Sequence, residues 1–305
     1  MGRLKIGAAL ATVQSPDTGK APDWRTISNV ANSAEAAGFD TVWIADELLW
    51  ERTDGKHHMG WWECIALLGA VAATTSRVEV GSWVLSALHR NPGITVRAVE
   101  TIDEISNGRF LFGLGAGHAG RQGEAFGLPS DVTVGRYVEA LDIIVPLLRE
   151  GSADFAGTYH KAVNLPNRPR GPQRSHIPLL LGGHGSRTIG IAVEKADIWS
   201  AFVTTGSEPA DFEEMSELVD RTCDEQGRDR ASLGRSVGIV IQRSDLPEPT
   251  YEAPAPPLKG TVDEIVAGLA GFADLGFTRV ELLVNAESTA DVERYAPIVE
   301  AARSI

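Results

Sequence analysis

The chain has 305 residues, 43% of them hydrophobic and 23% charged, which is a globular composition with enough apolar residues for one large core. Its formal net charge of −13 repels phosphate backbones and anionic lipids, so neither nucleic acid nor a membrane surface is an expected partner. The sequence has no apolar run near the roughly 20 residues of a membrane helix, no signal-peptide pattern and no CxxC pair, and these features favour a cytoplasmic protein.

Strand and helix patterns alternate through the first third of the chain. Short β-branched runs predict strands at Lys5–Leu10, Thr41–Ala45 and Val78–Leu85. Helical spacing predicts helices at Asp23–Ala37, at Trp61–Thr75 and from Pro92 to Gly108. Asp23 is expected to cap the first helix and Gly38 to end it. Trp24 and Ile105 are expected on the apolar stripes of the first and third helices.

The alternation continues to the carboxyl terminus. Strands are predicted at Arg109–Leu114, Ile177–Leu181, Asp197–Phe202, Val237–Gln242 and Val280–Val284. Helices are predicted at Val134–Arg149, from Ser186 to Lys195, at Phe212–Gln226, from Thr261 to Leu275 with a capping box, and at Asp291–Ala302. Phe155–Leu165 has the pattern of a hairpin or an irregular insertion. The proline-rich loop Leu246–Lys259 is interpreted as either a mobile lid or a disordered connection.

Eight strand-then-helix units predict an α/β fold, a (β/α)8 TIM barrel with loop insertions that forms a single domain over residues 1–305. An open doubly wound sheet alternates in the same way, but the count of eight favours the barrel. Because active sites of such barrels form at the carboxyl ends of the strands, the residues that follow each strand are the candidates for chemistry.

Two glycine-rich segments follow predicted strands. Gly113–His118 resembles a dinucleotide fingerprint, but it follows the fourth predicted strand and no helix begins directly after it, so that interpretation is weak. Its glycines either allow close packing of the barrel or let a flat ring approach the backbone. Gly182–Ser186 opens a helix, where freed backbone N–H groups favour a phosphate. The alternative is a glycine turn with Ser186 as a simple N-cap.

Acidic side chains follow the second strand. Asp46 and Glu47 are placed to orient a ring or to move a proton, or else are solvated loop charges, and Trp50 lies close behind them. The Gly81-Ser82 step in the third strand predicts a bulge. His57 and His58 are expected at the surface, and no HExxH or similar spacing indicates a metal site.

Several segments together resemble the luciferase-like monooxygenase superfamily, and within it the coenzyme F420-dependent oxidoreductases. The matching segments are Ala72–Val78, Arg90–Pro92, Gly108–Gly117, Glu124–Gly127, Tyr159, Pro166–Pro172, Ile177–Leu179 and Gly182-Gly183. The resemblance covers most of the chain, and the combination is specific although each segment alone is common.

This resemblance implies an α/β barrel, often a homodimer, with the isoalloxazine-like ring at the carboxyl-terminal mouth against a third-strand bulge that often contains a non-proline cis peptide. The bulge corresponds to Ser82, Trp83 and Val84. The ring-contacting positions correspond to Asp46, Gly115, Gly117 and His118. The phosphate site corresponds to Gly182, Gly183, His184, Gly185 and Ser186.

The chain departs from the family pattern after the second strand. Many relatives carry an Asp-His pair there, whereas this chain has Asp46-Glu47. The catalytic role then falls to Glu47, with a pKa raised by burial, or to His118, with Trp50 as a candidate for holding the substrate.

The function implied is an F420-dependent oxidoreductase that transfers a hydride between the deazaflavin and a small organic substrate. The alternative is an FMN-dependent monooxygenase of the luciferase-like type, and a further alternative is a non-catalytic flavin-binding barrel. The sequence does not identify the substrate.

Overall fold

The computed structural model describes residues 3–15, 18–51, 58–118, 120–129, 131–203, 205–246, 253–286 and 288–305. Strands in these ranges are β1 Lys5–Leu10, β2 Thr41–Ile44, β3 Leu49–Glu51, β4 His58–Gly60, β5 Glu79–Ser82, β6 Leu85–Ser86, β7 Phe110–Gly115, β8 Ser152–Ala156, β9 Lys161–Pro166, β10 Leu179–Gly182, β11 Ile198–Phe202, β12 Gly234–Arg243, β13 Leu258–Gly260 and β14 Arg279–Ala286. Helices are α1 Trp24–Ala37, α2 Cys64–Thr74, α3 Pro92–Ser106, α4 Gly120–Phe126, α5 Thr133–Arg149, α6 Ser186–Lys195, α7 Glu213–Gln226, α8 Val262–Asp274, α9 Thr289–Glu293 and α10 Ala296–Ala302.

The chain forms two compact units. The first unit comprises Met1–Ala11, Asp23–Trp43 and Leu180–Ile305, and the second comprises Thr12–Pro22 and Ile44–Leu179. In the first unit, parallel strands follow one another in the order β10, β11, β12, β14, β1 and β2. Aromatic rings of Phe212, Phe272 and Phe277 pack edge to face in its core.

The second unit contains parallel and antiparallel pairs. β5 and β6 each pair in parallel with β7. Two antiparallel hairpins, β3 with β4 and β8 with β9, are insertions outside this parallel set. Its core contains the buried side chains of Leu68, Phe110, Phe112 and Tyr137. The predicted hairpin at Phe155–Leu165 is therefore confirmed, as the pair β8–β9.

Helix ends follow the capping residues of the sequence. The Asp23 carboxylate accepts a hydrogen bond from the Thr26 amide, and Gly38, with φ of 85°, ends α1 in the left-handed conformation that glycine adopts freely. Thr261 and Glu264 form the predicted reciprocal capping box of α8. These predicted ends are confirmed.

Two expectations about the elements are wrong. The predicted terminal helix Asp291–Ala302 is two helices, α9 and α10, because Pro297 has no amide hydrogen to continue the first one. Trp24 and Ile105, placed on apolar stripes, are 42% and 43% exposed. Trp24 is the first residue of α1, and Ile105 is the last but one of α3. The third predicted strand is interrupted at Trp83 and Val84, between β5 and β6, at the place where the family resemblance implies an irregularity.

The proline-rich loop is only partly described. Residues 247–252 lie outside the described ranges, as does His57, while Leu258–Gly260 forms β13 and pairs in parallel with β12. None of the helices in the described ranges has the length and apolarity to cross a lipid bilayer.

Candidate active site

Asp46, two residues beyond β2, is a buried anion. Arg90 donates to both of its carboxylate oxygens, at 2.6 and 2.9 Å, and the Ser86 amide donates at 2.9 Å. The His89 Nδ1 lies 3.3 Å away, an ion-pair distance in a direction that does not suit a hydrogen bond. Burial raises the pKa of Asp46, but His89 and Arg90 together outweigh burial and lower the pKa to about 2. Asp46 therefore stays ionised and ties the end of β2 to the segment after β6.

The environment of Glu47 shifts its pKa in the opposite direction from that of Asp46. Burial is the largest influence and raises the pKa of Glu47, although its carboxylate is close to His118 and accepts a hydrogen bond from Gln122. The Nδ1 of His118 lies 3.6 Å from Glu47 Oε1. The side chains of Glu47 and His118 are 26% and 51% exposed, so a small molecule can reach both. The two residues form a pair suited to holding and exchanging a proton.

The hairpin β3–β4 carries an aromatic side chain to this pair. Trp50 on β3 is 46% exposed, and its ring meets the His118 ring edge to face with centroids 5.9 Å apart. The structure thus brings together the three residues that the sequence offered as catalytic, Glu47, His118 and Trp50.

The segment between β5 and β6 is where the family resemblance implies a bulge with a non-proline cis peptide. The peptide bond between Trp83 and Val84 is cis, as that resemblance implies. The Ser82 hydroxyl is buried and exchanges hydrogen bonds with both the amide and the carbonyl of Gly113, at 2.9 and 2.8 Å. The Trp83 amide donates to the carbonyl of Ile44. Ser82, Trp83 and Val84 therefore lie between the ends of the second and fourth predicted strands.

Close packing within the protein accounts for the glycines after the fourth predicted strand. A Cβ on Gly113 would lie 2.0 Å from the Ser82 carbonyl oxygen, and one on Gly115 would lie 2.9 Å from a Val84 methyl group. Gly117 has φ of 75°, and its Cβ would lie 2.1 Å from the Ser86 hydroxyl. Close packing is thus sufficient to explain why glycine occupies these positions. Contact of these glycines with a cofactor ring stays a prediction.

The predicted phosphate loop, Gly182–Ser186, belongs to the first unit. Gly185 is the N-cap of α6, and Ser186 is the first helical residue, so the alternative of Ser186 as N-cap is wrong. No side chain caps this helix, which leaves the amides of its first turn available to an anion. A Cβ on Gly183 would lie 2.4 Å from the Thr188 hydroxyl, so the turn requires glycine there. Gly182 ends β10 and pairs with Ser200 on β11.

The His184 side chain is held by the backbone. Its Nε2 lies 3.0 Å from both the amide nitrogen and the carbonyl oxygen of Phe202. Burial lowers the pKa of His184, although the contact with Phe202 opposes this effect. A neutral imidazole bound to the backbone in this way stabilises the turn. It does not provide a positive charge that would attract an anion.

Sequence reasoning missed three residues of the site. Gln122, buried on the seven-residue helix α4, contacts both Glu47 and His118. Arg90 and His89, which follow β6, surround Asp46. The sequence offered Arg90 only as part of a segment that resembles the family. Nothing in the sequence showed that Asp46 is buried and therefore needs a charged partner. In the described part of the chain, no group of three or more His, Cys, Asp or Glu side chains is arranged to hold a metal ion.

The sequence profile of the luciferase-like monooxygenases matches residues 4–253. The chain therefore belongs to the luciferase-like monooxygenase family. A solved structure described as an F420-dependent secondary alcohol dehydrogenase in complex with an F420-acetone adduct superimposes with a TM-score of 0.78 over 98% of this chain and 99% of that one, at 16% identity. The fold is the predicted luciferase-like (β/α)8 barrel.

Curated relatives resemble part of the chain. It is 28% identical over 197 residues to 5,10-methylenetetrahydromethanopterin reductase of Archaeoglobus fulgidus, covering 65% of this chain and 54% of the relative. It is 31% identical over 171 residues to F420-dependent glucose-6-phosphate dehydrogenase of Amycolatopsis mediterranei, covering 53% and 48%. The chain thus spans about half the length of these two relatives.

Proposed function

We propose that this protein is a coenzyme F420-dependent oxidoreductase that transfers a hydride between the deazaflavin and a small organic substrate. The observation that carries the proposal is the partly exposed Glu47–His118 pair beside Trp50, located after the second and fourth predicted strands. The relative from Amycolatopsis mediterranei is named as an F420-dependent glucose-6-phosphate dehydrogenase, and this name supports F420 as the cofactor.

The residues present fit such a cofactor in three respects. Glu47 and His118 offer a proton acceptor and donor, and Trp50 offers an exposed aromatic surface for an organic substrate. The uncapped first turn of α6, preceded by Gly182, Gly183, His184 and Gly185, offers backbone donors to a phosphate. When bound, F420 supplies the hydride-accepting or hydride-donating carbon.

The chain's own residues have distinct roles in this proposal. Glu47 and His118 hold the proton that accompanies hydride transfer, at Glu47 Oε1 and His118 Nδ1. Asp46, engaged by Arg90 and Ser86, keeps the segment after β6 in place and exchanges no proton. Ser82, Trp83, Val84, Gly115 and Gly117 form the surface proposed for the ring.

We also propose that the chain forms a single domain over residues 1–305, is a homodimer in solution and is located in the cytoplasm. The partner is a small-molecule organic substrate, and neither nucleic acid nor a membrane is proposed as a partner, because the formal net charge is −13.

The experiment is a titration of the purified protein with F420 and, separately, with FMN, followed through cofactor fluorescence. The proposal requires that F420 binds at least tenfold more tightly than FMN. Preferential binding of FMN would replace it with the flavin-dependent monooxygenase, and oxygen uptake would be the next assay. Binding of F420 with no hydride exchange toward any of a panel of alcohols, sugars and imines would favour the non-catalytic barrel.

A further inference from the structure

Gln122 is the polar residue at the centre of the Glu47–His118 pair. Its side chain is 2% exposed and lies on α4. The amide nitrogen Nε2 donates to Glu47 Oε2 at 2.6 Å, and the amide oxygen Oε1 accepts from the Leu48 backbone N–H at 3.0 Å. The same Nε2 lies 3.2 Å from Nε2 of His118. One buried amide therefore contacts the Glu47 carboxylate, the His118 ring and the backbone of Leu48.

The two partners of the amide fix its orientation. If the amide were rotated by 180°, its oxygen would face the Glu47 carboxylate at 2.6 Å, and its NH2 group would face the Leu48 N–H. Both contacts would then be repulsive, acceptor against acceptor and donor against donor. The NH2 group therefore points to Glu47 and His118.

This orientation determines the tautomer of His118. The NH2 group donates one N–H to Glu47, and its second N–H faces Nε2 of His118 at 3.2 Å and the His118 carbonyl oxygen at the longer distance of 3.4 Å. Because an NH2 group cannot accept a hydrogen bond, the closer contact favours a lone pair on Nε2 of His118. The proton of the neutral imidazole then resides on Nδ1, which faces Glu47 Oε1 at 3.6 Å. We propose that Gln122 is a positioning residue that holds the neutral His118 as the Nδ1–H tautomer and keeps Glu47 as the acceptor facing that proton.

The other charged groups near the pair do not compete for this role. Asp46 and His89 also act on Glu47, but both Asp46 oxygens are engaged by Arg90. Trp50 meets His118 through its ring and presents no charge. Arg121, the neighbour of Gln122 on α4, pairs with Glu124 at 2.8 Å. Gln122 is thus the described polar side chain that contacts both members of the pair.

This inference gives a reason for Glu47 in place of the family's histidine, and it rests on the proposed function for its catalytic meaning. A carboxylate at position 47 complements an Nδ1–H donor at His118, and the glutamine amide provides the second donor that the Glu47 carboxylate needs when it is partly buried. The pair then offers a substrate one proton at a defined atom.

The test is ¹⁵N NMR of the imidazole rings in the ligand-free protein at pH 7.5 or above. The seven histidines are distinguished by comparison with His118→Gln. We expect His118 to give the two well-separated ¹⁵N shifts of a neutral ring, with the protonated nitrogen at Nδ1. A ring protonated at Nε2, alone or together with Nδ1, overturns the inference in the wild-type protein, without any variant.

Two substitutions separate positioning from a purely structural role. Gln122→Glu keeps the size and the acceptor for Leu48 N–H but replaces the donor with a carboxylate oxygen, which can only accept from the ring, so Nε2 of His118 should carry a proton. Gln122→Met removes donor and acceptor, so His118 should relax to a mixture of tautomers. Circular dichroism confirms folding of each variant. An unchanged His118 spectrum in folded Gln122→Glu contradicts the inference.

The F420 titration tests the proposed function independently. A protein that binds no F420 but shows the Nδ1–H tautomer would lose the proposed activity and keep the Gln122 assignment. A protein that binds F420 but shows the Nε2–H tautomer would lose the Gln122 assignment alone.

Discussion

Asp46 and Glu47 are neighbours in the chain, but their carboxyl groups have pKa values shifted in opposite directions. Burial tends to raise the pKa of both carboxyls. In Asp46 the contacts with His89 and Arg90 outweigh burial, whereas the contacts of Glu47 with His118 and Gln122 do not. Two adjacent acids thus divide into a permanent anion and a group that can exchange a proton.

Asp46→Asn tests the permanent anion. The folded state lowers the pKa of Asp46 from 3.8 to about 2, so its ionised form contributes stability above pH 3.8. That contribution is lost as the pH falls through 3.8 towards about 2. We expect the variant to lose on the order of 2 kcal/mol of unfolding free energy at pH 7, measured by urea denaturation. The difference from wild type should shrink below pH 4.

Glu63→Gln is the matched control for Asp46→Asn. Glu63 also pairs with Arg90, at 2.5 Å, but its side chain is 47% exposed. Its second carboxylate oxygen accepts from the Ala66 amide at the start of α2, and the amide oxygen of glutamine can keep this cap. An exposed ion pair contributes about 0–1 kcal/mol, so this variant should change the unfolding free energy by less than half as much. Equal losses in the two variants would mean that Asp46 contributes no more than an ordinary surface charge.

The sequence identified the candidate catalytic side chains more readily than the residues that hold them. Glu47 and Trp50 were candidates because they follow the second predicted strand, and the family resemblance added His118. Arg90 and Gln122 are distant in sequence from the acids that they contact, and Gln122 lies on a helix of seven residues that showed no usable periodicity. In the sequence, a buried glutamine looks the same as an exposed one, so the role of Gln122 can be inferred only from the folded structure.

Local chemistry decided which elements could be predicted. α1, α3 and α8 begin at side chains that cap their amides, namely Asp23, Asn91 and Thr261, and these ends were within reach of sequence patterns. The three-residue strands of the hairpin β3–β4 were not, because three residues are too few to show alternation. The missed hairpin carries Trp50, which explains why its approach to His118 could not be anticipated.

The uncapped amino terminus of α6 permits a sharper test of phosphate binding than substitution of Gly183. A side chain at position 183 would collide with Thr188 and damage the turn whatever its charge. Ser186→Asp places a carboxylate in the first helical turn, which favours the helix itself but repels a phosphate. We expect it to weaken F420 binding at least tenfold in the fluorescence titration.

Ser186→Ala is the control that removes the hydroxyl without adding charge. It should change the affinity for F420 less than threefold if backbone amides supply the phosphate contacts. The effect of Ser186→Asp should also diminish as salt is raised from 0.05 to 0.5 M, because screening weakens charge repulsion. Unchanged F420 affinity in Ser186→Asp would remove the phosphate site from α6.

For the whole molecule, the count of strand-then-helix units was the strongest feature of the sequence. Eight units favoured the barrel over an open sheet, and the family and the solved structure agree with that choice. The substrate was beyond reach because the loops that would contact it follow no periodic pattern, and part of the loop Leu246–Lys259 lies outside the described ranges. Barrel frameworks repeat across families, whereas loops carry specificity.

The two compact units should unfold together. Neither is a contiguous stretch of chain, and their boundaries fall inside the strands Thr41–Ile44 and Leu179–Gly182, so neither unit keeps all of its strands without the other. We therefore expect a single urea transition, with coincident midpoints by far-UV circular dichroism and by tryptophan fluorescence. Hydrogen exchange resolves the units separately, and amides of β12 in the first and β7 in the second should lose protection at the same urea concentration. Separate midpoints would show that the chain folds as two domains and would refute the single-domain proposal.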